Sequence, residues 1–214
     1  AGVWLFGKNV IKSSKFKVIH NAVDYDKFKY NQDVRNKMRK ELGINDSDIL
    51  IGHVGRFVPQ KNHAMLIDIF NECYKKNNQY KLLMVGTGEL EVAIKEKVKR
   101  MGLEKNTIFV GFRTNVNEYM QAMDLFILPS LSEGLGLVLV EAQAGGLPCI
   151  ATADTIPDEV KINPNFYFAN LNVNEWVQTI QNIKLARVKS KKLVKDAGYF
   201  IEDIITELTN EYQK

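Results

Sequence analysis

Short apolar runs alternate along this chain with stretches whose apolar residues recur every three or four positions. The apolar runs are 48–55 (DILIGHVG), 80–86 (YKLLMVG), 106–111 (NTIFVG), 124–130 (DLFILPS), 147–152 (LPCIAT) and a weaker one at 165–169 (NFYFA). None alternates apolar and polar with a period of two, which marks strands covered on both faces. Between them lie helical patterns. Residues 62–77 put Leu66, Phe70 and Cys73 on one face, and residues 89–102 bring Leu90, Ile94, Val98 and Met101 into register. Residues 115–123 and 136–146 read as shorter helices, the second stopped by Gly145 and Gly146, and two more follow near 173–187 and 198–212. Strands alternating with helices predict an α/β fold, a Rossmann-like doubly wound parallel sheet. The clearest boundaries fall near residues 17 and 197, and no internal repeat is present.

Composition adds little to this frame. The 214 residues are 45% hydrophobic and 25% charged, enough for a sizeable core. No apolar run approaches the roughly 20 residues of a membrane span. The opening, AGVWLFGKNVIKSSKF, places charge after its apolar part, the reverse of a secretion signal. Cys73 and Cys149 sit in apolar patterns without metal-like spacing, so they read as reduced core residues of a cytoplasmic protein. The net charge of +4 is uneven. Residues 1–40 hold ten Lys or Arg against three Asp, leaving 19 of the 29 basic and 22 of the 25 acidic residues to the remainder. The plain reading is a solvated basic helix. The sharper one is a surface meeting anionic lipid head groups, peripheral at the inner face of a membrane, or meeting an acidic partner. Nucleic acid is not expected, because no aromatic residues interleave the basic run.

In a doubly wound sheet, ligands bind beyond the carboxyl ends of the strands. There this chain places GRFVPQKN with Arg56 and Lys61, then GTGE (86–89), GFR (111–113) and PSLSEGLG (129–136). Gly55, Gly86, Gly88, Gly111, Gly134 and Gly136 are expected to let the backbone approach a ligand closely. Arg56 and Lys61 suit a diphosphate, the first as a fork and the second as a point charge. GTGELE imitates a dinucleotide fingerprint, but Glu91 stands where the third glycine belongs. His53, inside a strand, reads as core; His20 and His63 occupy loop or helix-start positions. The histidines show no metal spacing, so no metal site is expected.

The run PSLSEGLGLVLVEAQAGGLPCIAT sets Glu133 and Glu141 eight positions apart. A helix starting near Gly136 points the N–H groups of residues 134–137 outward, an anion site. Glu133 lies at its mouth. Glu141 lies over one turn inside, among apolar neighbours, where a carboxylate needs partners. Sugar hydroxyls would serve.

These residues resemble the donor-binding signature of the retaining GT-B glycosyltransferases of group 1. Glu133 and Glu141 match its E-x7-E. The segment VIHNAVDYDKF (18–28) resembles the family's I-x-N-G-V-D-x-x-x-F, with Ala22 where glycine is usual, and GRFVPQKN resembles its G-R-x-x-x-x-K-N diphosphate loop. The tail EAQAGGLPCIATADTIPDEV is similar to capsular and exopolysaccharide transferases. The resemblance implies a carboxy-terminal GT-B domain that binds a nucleoside-diphosphate sugar, a UDP-sugar first, without a metal. It assigns Arg56 and Lys61 to the diphosphate, with Gly55 beside them and the amides of Gly134, Leu135, Gly136 and Leu137 in support. Glu141 would take the ribose and Glu133 the transferred sugar. Gly86 and the turn Gly111, Phe112, Arg113 would flank the nucleotide. Glu133, Arg56 and Lys61 would carry catalysis, a transfer with retention to a glycan or lipid-linked acceptor. By the same resemblance residues 1–16 are a linker from a missing amino-terminal half, 17–197 the donor-binding domain and 198–214 a last helix. Two rivals are a non-catalytic nucleotide-binding module that regulates a partner and a dinucleotide oxidoreductase, the latter disfavoured by Glu91.

Overall fold

The computed structural model describes residues 21–213 throughout and, before them, Gly7, Asn9, Val10, Lys12, Ser13, Phe16, Lys17 and Ile19. The expected linker over 1–16 therefore lies largely outside the described residues, as does His20. Six strands form one sheet: β1 (Ile49–Val54), β2 (Tyr80–Val85), β3 (Thr107–Phe109), β4 (Leu125–Leu128), β5 (Cys149–Thr152) and β6 (Phe166–Ala169). Their order is β3-β2-β1-β4-β5-β6 and every neighbouring pair is parallel. This is the doubly wound α/β topology expected from the unalternating apolar runs.

The pleat explains why those runs carry no period of two. Leu50, Leu83, Val85, Phe126, Leu128, Cys149 and Ala151 point to one face. Ile51, Leu82, Met84, Leu125, Ile127 and Ile150 point to the other. Both faces are covered, so both sets must be apolar. The first face packs against α1 (Tyr25–Phe28), α2 (Gln32–Glu41), α5 (Val116–Ala122), α6 (Leu137–Ala144) and α8 (Lys191–Asp196) through Phe28, Met38, Met120, Leu139, Val140 and Val194. The second packs against α3 (His63–Lys76), α4 (Glu91–Arg100) and α7 (Val173–Asn182) through Leu66, Phe70, Ile94, Val98 and Trp176. A last helix, α9 (Ile201–Tyr212), buries none of its residues fully. Asparagine side chains start two of these helices: Asn31 accepts from the N–H groups of Asp33 and Val34, and Asn172 from those of Asn174 and Glu175.

The helix expected over 173–187 ends at Asn182, and the separate α8 was not anticipated. The break has a cause. Ile183 turns extended (φ −69°, ψ 139°), and the freed chain brings the Arg187 guanidinium to the carbonyls of Met120, Gln121 and Met123 at the end of α5 and of Gly145 after α6. Arg35 donates to the carbonyls of Gln121, Ala122 and Met123, and Arg39 to that of Ala122. Three arginines thus meet the negative end of α5. Arg35 and Arg39 also hold Asp124, at 2.5 and 3.0 Å. The basic amino-terminal region is therefore only partly a solvated helix, because two cations of α2 are turned inward.

Candidate functional site

The strand order reverses between β1 and β4, and the crevice such a reversal opens is a cleft of about 510 Å³. Gly55 and Lys61 line it from the loop after β1. Glu133, Gly134, Leu135, Gly136, Leu137 and Glu141 line it from the loop after β4 and the start of α6. Eight residues expected from the sequence thus share one cavity.

Two loops far apart in sequence are clasped here. A one-turn 3-10 helix, Pro59–Lys61, follows β1. The Leu131 N–H donates to the Gln60 carbonyl (2.8 Å) and the Gln60 side-chain amide to the Ser132 carbonyl (2.6 Å). Lys61 Nζ lies 2.5 Å from Glu133 Oε1, with the two side chains 18% and 8% exposed. The Glu133 N–H is held by the Thr155 carbonyl (3.1 Å). The sequence expectation set Lys61 on a phosphate and Glu133 on a sugar; here they satisfy each other.

Gly136 is left-handed (φ 67°, ψ 51°) and α6 starts after it with no side-chain cap. The first-turn residues Leu137 and Val138 line the cleft, so uncapped N–H groups are available to a ligand or water there. One turn further in is Glu141. No side-chain hydrogen bond or ion pair holds its carboxylate among the described residues. Burial raises its pKa above the ordinary 4.5, and the field of Lys27 opposes this in part.

Beneath the Lys61 loop lies a buried aromatic stack. The His63 ring stacks on Phe57 (centroids 4.1 Å apart) and meets the His53 ring edge-on at 4.7 Å. His53 Nδ1 is 3.0 Å from the Ile127 carbonyl, so the neutral ring carries its proton there. His53 Nε2 and both His63 nitrogens have no protein partner. Burial lowers the pKa values to about 4 for His53 and about 2 for His63. His53 is a core residue as expected, and His63, at the first position of α3, is core as well.

Other expected residues stand off the cleft. Gly86 was expected to bare backbone for a ligand. Its φ of 137° and surroundings give another reason: a Cβ there would meet the Gly55 carbonyl oxygen at 2.1 Å. At Gly88 a Cβ would meet the Phe57 carbonyl oxygen at 2.6 Å. Both glycines admit the neighbouring loop, whose Gly55 and Phe57 N–H groups donate to the Val85 and Thr87 carbonyls. Gly111 is left-handed and its carbonyl takes the Gly86 N–H. Phe112 is 70% exposed, and Arg113 donates through Nε to the Tyr119 hydroxyl at 2.8 Å. Arg56 is exposed on the same loop as Lys61. Four polar residues were missed: Asn21, Lys27, Thr114 and Asn117 also line the cleft. The segment 18–28 pointed to the first two, but nothing local to Thr114 or Asn117 marks them. Among the described residues no group of three or more His, Cys, Asp or Glu could hold a metal, and no helix is long and apolar enough to cross a membrane.

The sequence matches the family described as Glycosyl transferases group 1 over residues 34–198. EpsF of Bacillus subtilis, a protein assigned to the glycosyltransferases, is 31% identical over 99% of this chain and 57% of its own length. The Escherichia coli UDP-Gal:alpha-D-GlcNAc-diphosphoundecaprenol alpha-1,3-galactosyltransferase is 34% identical over 64% of this chain and 36% of its own. The chain thus spans 57% and 36% of the lengths of these two relatives. In structure it is similar to Anabaena HepE crystallised with UDP and glucose, with a TM-score of 0.74, 22% identity and coverage of 92% of this chain and 56% of that one. At that identity the likeness speaks for the fold alone.

Proposed function

Because this chain belongs to the Glycosyl transferases group 1 family, we propose that its cleft binds a nucleoside-diphosphate sugar, the donor half of a sugar transfer. The observation that carries this is Glu141, a half-buried carboxylate without a partner among the described residues, one turn inside an uncapped helix start and lining the same cleft as Lys61. A ligand that offers hydroxyls at one end and phosphates in the middle fits that arrangement. Glu141 would accept from the ribose hydroxyls. Lys61 and the amides of Leu135, Gly136 and Leu137 would face the diphosphate, with Arg56 swinging in from the rim. Glu133 would face the transferred sugar, and the turn 111–113 the base. A uridine nucleotide is the first choice, since the Escherichia coli relative is named for a UDP-sugar and Anabaena HepE was crystallised with UDP.

In the transfer, negative charge grows on the departing diphosphate. Once Lys61 and Arg56 have turned to the diphosphate, they and the helix N–H groups would stabilise that charge, with no metal called on. The sugar would pass to an acceptor hydroxyl with retention, the leaving phosphate taking the acceptor's proton. The acceptor, a glycan or a lipid-linked sugar, would be held by a second half outside this domain, which extends over about residues 17–197 with α9 beyond it. Assembly of a capsular or extracellular polysaccharide is the setting that suits such an acceptor.

Calorimetry of the chain against UDP, GDP and ADP, with chelator present, tests the reading. UDP should bind without added metal. Binding that requires magnesium or manganese would overturn the metal-free claim, and no binding of any nucleoside diphosphate would overturn the function.

A further inference from the structure

We infer that Lys61 and Glu133 form a charge latch that disfavours the spent nucleoside diphosphate relative to the intact donor. The inference rests on the donor-binding reading above. Its ground is that the two groups that should engage the ligand hold each other at the cleft wall. Lys61 Nζ and Glu133 Oε1 are 2.5 Å apart and mostly buried, 18% and 8% exposed. No other side-chain hydrogen bond is made by either among the described residues. The loops do not need this contact to stay together, because Leu131, Gln60 and Ser132 already clasp them through two hydrogen bonds. The Glu133 backbone is fixed separately on Thr155.

The consequence follows from what each ligand returns to the pair. A diphosphate that draws Lys61 away leaves a carboxylate buried, unpaired and beside new negative charge, and an uncompensated buried charge is strongly unfavourable. An intact sugar nucleotide draws Lys61 away as well, but its sugar hydroxyls donate to the released Glu133. The full exchange of partners is open only to a ligand that carries both groups. Once the sugar has left, the hydroxyls are gone, the carboxylate again competes for Lys61, and the diphosphate is weakened. Glu133 thus does more than touch the sugar: it sets the balance between donor and product, and Lys61 transmits it.

The test measures affinities of the 214-residue chain for UDP and for UDP-glucose, UDP-galactose and UDP-N-acetylglucosamine, using whichever sugar nucleotide binds best. Glu133→Gln should tighten UDP by about tenfold, the scale of one charge-assisted hydrogen bond, and should weaken the sugar nucleotide. A shared gain from removing negative charge could imitate the first half of that result. Glu133→Asp separates the two, because it keeps the charge and shortens the reach to Lys61 by one methylene. The latch predicts that Glu133→Asp also tightens UDP; a pure field effect leaves UDP unchanged. Crystals of the wild type with UDP should show Lys61 Nζ parted from Glu133. A pair that stays closed with UDP bound, or UDP affinity unchanged in Glu133→Asp, overturns the latch while leaving the donor site standing. If the wild type binds none of UDP, GDP and ADP, the proposed function falls and the latch with it.

Discussion

Glu141 carries two opposed demands. Burial raises its pKa, so the folded state holds the protonated form more readily than the unfolded chain does. Such a group stabilises the fold fully only below its unfolded pKa, near 4.5, and that contribution is lost as pH rises through the higher folded value. Glu141→Gln removes the titration. Its melting temperature should match the wild type's in acid and exceed it at neutral pH, while UDP binds about tenfold more weakly for lack of an ionised acceptor. A melt at two pH values with a UDP titration checks both halves; a variant less stable at neutral pH would contradict the unpaired carboxylate. Arg56 and Lys61 should separate in the same way. Arg56→Ala removes an exposed side chain and should weaken UDP with little change in stability. Lys61→Ala also strands Glu133 and should lower stability by about 3 kcal/mol, read by urea unfolding of both variants.

Between elements, the glycines and arginines decide whether loops and helix ends meet. Gly86 lies against the loop after β1, with room for no side chain. Gly86→Ala would place a methyl 2.1 Å from the Gly55 carbonyl and needs a backbone region that alanine rarely adopts. It should destabilise by more than about 1 kcal/mol and displace Lys61, so that UDP affinity falls although Gly86 stands off the cleft. Full stability in Gly86→Ala would mean that the two loops are not packed as described. Asp124 is the corresponding hub on the first face, taking Arg35, Arg39 and the Leu50 N–H. Asp124→Ala leaves two inward arginines without their counter-ion, and a loss of about 3 kcal/mol is expected, measured as a shifted denaturation midpoint.

For the whole molecule, the His53–His63 pair ties stability to acidity. Both rings are neutral in the fold, with pKa values lowered from 6.5 to about 4 and about 2. A base whose folded pKa is depressed contributes stability that is present above its unfolded pKa and lost as pH falls through the window below it. Stability should therefore decline between pH 6.5 and 4, each ring contributing about 1.4 kcal/mol per pH unit. The double variant His53→Gln, His63→Phe should show a shallower decline; an equally steep one would locate the acid sensitivity elsewhere. The chain alone should bind donor yet transfer no sugar to an acceptor in a product assay, if the acceptor side belongs to a second half. The sequence by itself determined the six strands, the covered sheet and the loops that hold Lys61, Glu133 and Glu141. Periodicity, glycine punctuation and an apolar run around a carboxylate are local signals, legible within a dozen residues. Other features arise between residues remote in sequence: Lys61 and Glu133 are 72 positions apart, and His53 and Ile127 are 74 apart. The inward turn of Arg35 and Arg39 depends on where α5 ends, and the bareness of Gly86 depends on a carbonyl of another loop. Only tertiary structure decided that the cation and the carboxylate of the cleft hold each other, because what a charge pairs with is fixed by which loops the sheet brings together.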